Sequence, residues 1–305
     1  MRLPDFLIIG AMKSGTTTLF RDLESHPGIF MPEDKEPHAL VDDEVLTEAG
    51  RARYAKLFRP AGADQLAGEA STGYSKLPWQ TGVVERARKL LRPDLRVIYI
   101  VRDPVARIAS HHYHNFAGAM AGADLGQELD RTPQLIGYTR YATQIEPWLR
   151  AYGPELVRVI RFESYVADRA GEHRALIGWM GLDPGRCAVD PTARHNAGES
   201  RRVPSRLRPL LKSKLYREIG RRTLPRGLKR AAQRTLLSKA PPRPAPPSPE
   251  VVDRILDALW PEMEKLSELL GLSEPMWDRD ALRRQHHERG LESRSDDRSA
   301  AGTDA

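Results

Sequence analysis

Cysteine is almost missing: Cys187 is the single one in 305 residues. An internal disulfide is therefore excluded. Without a C-x-x-C pair or a Cys/His cluster the sequence offers no zinc site, so a reducing cytosol is the expected compartment and no metal is required. Long apolar runs are missing too. The first one is broken by Lys13, and neither a secretory h-region nor a span of about 20 apolar residues occurs, so export and anchoring are not expected. Acidic residues thin out over one stretch, where fourteen Lys and Arg between Arg201 and Lys239 face Glu218 alone. With +7 on the whole chain the remainder is net acidic, which argues against a chain-wide nucleic-acid surface.

What is present is organised around Phe6 to Ser25. Phe6, Leu7, Ile8 and Ile9 form the short apolar run of a strand buried on both faces, and Gly10 ends it. Thr16 to Ser25 places Leu19, Phe20 and Leu23 on one helical face. Strand, glycine loop and helix in that order aim backbone N–H groups and a positive helix end at an anion. Gly10 and Gly15 keep the G-x-x-x-x-G spacing of a nucleotide loop, yet Thr16 and Thr17 follow where lysine and a hydroxyl would stand. The only lysine, Lys13, lies inside the loop. A triphosphate loses its usual cation there, whereas a donor ending in a sulfonate needs no magnesium, because one lysine and several N–H groups balance its charge.

A second turn ends the apolar run Leu95 to Val101. Arg102 supplies a planar fork suited to phosphate oxygens, Asp103 can cap the next helix, and Pro104 suits its first turn. Ser110 and His114, four apart, share a face of that helix. His111 and His112 are adjacent and diverge by about 100°, so they are not an i, i+4 ligand pair. Between the two turns, Pro32 to His38 is a charged loop that enters at the carboxyl end of a parallel sheet and can bring Glu36 to a ligand. Read from its residues alone, a solvated charged turn is the better reading.

Three stretches carry a family likeness. GAMKSGTTTL resembles the 5′-phosphosulfate loop of the sulfotransferases that use 3′-phosphoadenosine 5′-phosphosulfate (PAPS), and is most similar to their carbohydrate, heparan-type and bacterial branch. The pattern R-D-P-x-x-R-x-x-S from Arg102 to Ser110 is similar to their 3′-phosphate motif, and K-E-P-H to their glutamate-bearing turn. The likeness runs from about Leu3 to Trp277. It implies an α/β fold, a P-loop-like three-layer sandwich with a central parallel sheet flanked by helices. It also implies sulfuryl transfer from PAPS, the donor cosubstrate, to a hydroxyl or amine of a small-molecule, glycolipid or saccharide acceptor. Lys13, Ser14, Gly15, Thr16, Thr17 and Thr18 would hold the 5′ side, and Arg102 and Ser110 the 3′-phosphate. Glu36 would be the general base, Lys13 would stabilise charge gathering on the leaving phosphate, and His114 would face the reaction centre. The loop HNAGESRRVP matches loosely and would add Arg201 and Arg202 as phosphate contacts. Ala70 departs from the heparan-type pattern, which has lysine there, and this weighs against a polyanionic glycan as acceptor.

Two other readings remain open at this stage: a P-loop kinase or NTPase, and a non-enzymatic, nucleotide-gated membrane-surface module using the basic stretch. Neither explains the displaced lysine together with the Arg102 and Ser110 pair. In domain terms, residues 1–280 are expected to form one sulfotransferase domain. Within it, 201–239 is a basic lid or solvated face, or else a peripheral membrane contact, and 240–249 is a stiff Pro-rich linker. Glu250 to Leu270 is a helix packing back on the domain. From about Arg283 to 305 apolar residues are few, and disorder is expected. Acceptor identity and oligomeric state are not legible.

Overall fold

The computed structural model describes residues 1–186, 189, 202–204, 237–239 and 241–301. Its strands are β1 (Phe6–Gly10), β2 (Ile29–Phe30), β3 (Leu66–Ala70), β4 (Arg96–Val101) and β5 (Val157–Arg161), in the order β2-β3-β1-β4-β5. Every pairing is parallel. The helices are α1 (Thr16–Glu24), α2 (Glu48–Lys56), α3 (Val83–Leu90), α4 (Pro104–Ala117), α5 (Leu125–Arg131), α6 (Gln134–Gly137), α7 (Tyr141–Tyr152), α8 (Phe162–Ala167), α9 (Arg169–Trp179), α10 (Pro249–Leu269) and α11 (Arg279–Ala301).

The period-two alternation of a strand divides the core between the two faces. Phe6, Ile8, Ile98 and Ile100 are buried with Leu19 and Phe20 of α1 and Leu176 and Ile177 of α9. Leu7, Ile9, Val97 and Tyr99 are buried on the other side with Ile145 and Trp148 of α7 and Ile255 and Leu259 of α10. Both faces covered is what an all-parallel sheet requires, and it is why β1 and β4 read as unbroken apolar runs. The expected three-layer α/β architecture is the one observed.

Strand order decides where a ligand can sit. β1 leads toward β2 and β3 on one side, while β4 leads to β5 on the other. The chain therefore parts above the carboxyl ends of β1 and β4, leaving the crevice in which open α/β sheets take their ligands.

The carboxyl-terminal region holds the main difference from expectation. α10 forms as anticipated, started by Ser248, whose hydroxyl accepts from the Val251 amide, and by Pro249. Beyond it, residues 283–301 continue α11, where disorder was expected. Leu282 near the start of the helix is buried in the core, and beyond it the contacts are polar: Arg283 forks onto Asp253 of α10 with both bonds at 2.8 Å, His287 meets the same carboxylate at 3.0 Å, and His286 is buried. Of the basic stretch, only two short strands are described, β6 (Arg202–Pro204) and β7 (Leu237–Lys239), paired antiparallel. Arg201 and the Arg202 side chain lie outside the described residues, as does the lid or membrane role considered for 201–239. The Pro-rich segment that follows runs against α4, where the Tyr113 hydroxyl donates to the Pro241 carbonyl at 3.1 Å and Arg243 lies over the Tyr113 ring.

Candidate active site

The loop after β1 is shaped by backbone that side chains tolerate poorly. Gly15 has φ +90°, and a Cβ there would stand 2.6 Å from the Phe162 ring. Gly10, at φ +149°, would place a Cβ 2.1 Å from the Ser75 hydroxyl. Only glycine lets the loop lie this close to its neighbours. Ser14 is fully buried, and its amide donates to the Ala11 carbonyl at 3.1 Å, closing the loop on itself. That amide is thus spent internally, which corrects the expectation that Ser14 to Thr18 all offer N–H groups to a ligand. α1 then opens at Thr16 with no side-chain cap and no acidic residue in its first turn. Its leading amides, from Gly15 to Thr18, form the uncapped positive end that accepts an anion.

Around that end the structure gathers cations. Lys13 sits in the loop itself at φ +73°. Lys35, given no role from the sequence, reaches back from the following loop to donate to the Thr17 hydroxyl at 2.7 Å. Burial lowers its pKa, against the raising effect of the neighbouring Glu36. Behind the loop, Arg107 is fully buried, donating to the Leu135 carbonyl at 2.7 Å and facing Met12 O at 3.5 Å. Its charge adds to the potential at the loop.

Arg102 ends β4 beside the end of β1, and its guanidinium donates to the Lys13 carbonyl at 3.2 Å. It also lies over the Phe162 ring, 4.9 Å from the centroid. Thus the two turns read separately in the sequence are physically joined. Asp103 caps α4 as anticipated, accepting from Val105 and Ala106 at 2.9 and 3.1 Å, with Pro104 in the first turn. Half-buried Ser110 and His114 follow on that helix. His111 and His112 part company, the first to Arg107 at 3.2 Å and the second to the Gly122 carbonyl at 2.8 Å. Burial first, then the Arg107 charge, drives His111 down to about 2, so its ring is neutral.

Glu36 is held opposite these groups. It has φ +63°, and its Oε2 accepts from Thr72 at 3.1 Å and lies 3.3 Å from His38 Nε2, with Lys35 Nζ 3.7 Å from Oε1. Burial pushes its pKa up, but the His38 bond, the Lys35 charge and Thr72 prevail and hold it at about 2. The carboxylate is ionised at neutral pH.

The turn bearing Glu36 is fastened to the end of β3. The Glu36 amide donates to Ala70 O at 3.0 Å, the His38 amide to Ser71 Oγ at 3.0 Å, and the Leu40 amide to Tyr74 Oη at 3.2 Å. Ser71 and Tyr74 in turn donate to buried Glu69, at 2.7 and 2.6 Å, and Tyr54 adds a third bond at 2.9 Å. Ser71 and Tyr74 are therefore braces for the turn. No local pattern announces them, because their partners lie some 30 residues away; only the family likeness pointed to this stretch.

A glycine loop opening an uncapped helix, a second loop locked to it by arginine, and an ionised carboxylate beside a 2-3-1-4-5 parallel sheet define a P-loop-like α/β fold. Within that class the chain belongs to the sulfotransferase family, whose model matches residues 4–184. It is 27% identical over 195 residues to heparan sulfate glucosamine 3-O-sulfotransferase 3B1 of Mus musculus, covering 59% of this chain and 47% of that one. Against heparan sulfate glucosamine 3-O-sulfotransferase 6 of Homo sapiens the figures are 26% over 202 residues, 59% and 53%. The chain spans about half the length of the curated relatives it matches. The crystal structure of a sulfotransferase from Alicyclobacillus acidocaldarius superposes with TM-score 0.64 at 19% identity, covering 93% of this chain and 100% of that one, so the fold is shared.

Proposed function

We propose that the protein transfers the sulfuryl group of PAPS to a hydroxyl or amine of a saccharide, glycolipid or small-molecule acceptor. The observation that carries this is the Arg102 to Lys13 bond, which unites a 5′-side cradle and a 3′-side arginine across one crevice faced by ionised Glu36. In this reading Arg102, with Ser110 on α4, holds the 3′-phosphate. Lys13, Lys35 and the amides of Gly15 to Thr18 hold the 5′-phosphosulfate.

Glu36 takes the proton of the acceptor O–H or N–H as that atom attacks sulfur in line. The bond from sulfur to the bridging oxygen breaks, its electron pair leaves with adenosine 3′,5′-bisphosphate, and the two lysines balance the gathering charge. His114 faces the transferring group and donates a hydrogen bond to it. These roles rest on the family likeness and on the geometry around Glu36.

The deciding experiment is calorimetric titration with adenosine 3′,5′-bisphosphate and with ADP, both without magnesium, followed by radiolabelled transfer from PAPS. Tight binding of the bisphosphate over ADP supports the reading. Equal binding of the two, or magnesium-dependent ATP consumption, removes it.

A further inference from the structure

A further lysine follows the segment that touches Glu36. The short 3-10 turn Thr72–Ser75 begins with the residue that donates to Glu36 and is closed by Lys76. Lys76 comes four residues after Thr72, just past the turn. Its ammonium lies 5.3 Å from the centroid of the Tyr138 ring, and among the described residues no carboxylate comes within ion-pair distance of it. Burial lowers its pKa, against the raising effect of the Glu36 charge. The Lys76 and Lys13 charges both also reach His111.

Beside it stands an aromatic wall. The Tyr138 ring is stacked on His111 at 5.8 Å and 10°, and Trp79 meets it edge-on at 5.3 Å and 89°. Trp79 is nonetheless 38% exposed, unusual for so large an apolar side chain held in place by packing. The wall is built firmly. Gln144 accepts from the Leu77 amide at 2.8 Å and donates to the Leu77 carbonyl at 2.9 Å. Gly137 leaves the indole its space, since a Cβ there would lie 2.3 Å from the Trp79 ring.

We propose that Lys76 and Trp79 form the acceptor subsite of this protein, taking a ring-shaped acceptor that carries an anionic group beside its reacting hydroxyl. The sugar or aryl ring lies on the free surface of Trp79, the carboxylate or sulfate pairs with Lys76, and the hydroxyl falls to Glu36. This deepens the sulfotransferase reading and rests on it. An anion held by one half-buried lysine gains a charge-assisted bond that a neutral analogue lacks, about tenfold in affinity.

The test loads the full chain with adenosine 3′,5′-bisphosphate and titrates 4-nitrophenyl β-D-glucuronide, its 6-sulfated glucoside counterpart and the neutral glucoside, by calorimetry. Both acidic probes are expected to bind about tenfold more tightly than the neutral one. Lys76→Met should abolish that preference and leave bisphosphate affinity unchanged. Trp79→Ala should weaken all three probes. Equal binding of acidic and neutral probes by the unaltered chain, no binding of any probe to the loaded protein, or weakened bisphosphate binding in Lys76→Met overturns the subsite. If the unaltered chain fails to bind the bisphosphate at all, the sulfotransferase reading itself falls, and the subsite with it.

Discussion

His286 Nε2 and Asp103 Oδ2 lie 2.6 Å apart, both side chains buried, although 183 residues separate them in the chain. Asp103 is the next residue after Arg102, and its amide donates to Glu163 Oε1 at 2.8 Å, while Trp277 donates to the other oxygen of Glu163. The carboxyl-terminal region, beyond residues 4–184, thus grips the turn that presents Arg102.

Removing one member of a buried pair strands the other, at a cost of about 3 kcal/mol. His286→Ala is expected to lower the unfolding free energy by that amount in urea titrations. Burial raises the Asp103 pKa, but the His286 bond and charge and the two cap amides bring it below its ordinary value. The resulting stability is full above the unfolded pKa and is lost as pH falls through the folded one, so wild type and His286→Ala should converge in stability at acid pH.

Glu36→Gln keeps the shape of the side chain and removes the proton acceptor. Turnover should fall by about 10² to 10⁴ while affinity for adenosine 3′,5′-bisphosphate stays within about twofold, read by radiolabelled transfer and calorimetry on the same preparation. Unchanged turnover would take the general-base role away from Glu36.

Lys35 stands at the uncapped end of α1 through Thr17. Lys35→Met should lower turnover by about 10² to 10³ and weaken the bisphosphate, as Lys13→Met should, because each variant removes one cation from the 5′ side. A Lys35→Met protein with normal donor kinetics would take the 5′-side role away from Lys35.

The Glu36 pKa of about 2 depends on His38, the largest of the lowering influences on it. His38→Ala should let that pKa climb toward the ordinary carboxylate value. Because a base works in its deprotonated form, the acid limb of kcat/KM should move to higher pH in the variant, with the plateau above pH about 7 less affected. Coincident acid limbs in the two proteins would show that His38 does not set the Glu36 charge.

How much of this was legible can be argued residue by residue. The β1 loop, the Asp103 cap with Pro104, and the inward face of α10 were readable because each depends on residues within a turn or two of one another. The helix at 279–301 was not, because beyond Leu282 its described hold on the domain is polar and comes from Asp253 and Asp103. Ser14 was misjudged in part, since the loop's own closure at Ala11 consumes its amide.

The sequence by itself determined the alternation of strands and helices and the two turns that end β1 and β4, since propensity, capping and motif spacing act along the chain; Glu36 was singled out only by the family likeness. Tertiary structure alone decided that Arg102 meets Lys13, that Lys35 reaches Thr17, and that Glu69 braces the Glu36 turn. Those contacts join segments tens of residues apart. Their geometry exists only once the parallel sheet has set its strand order and brought the loops to one edge.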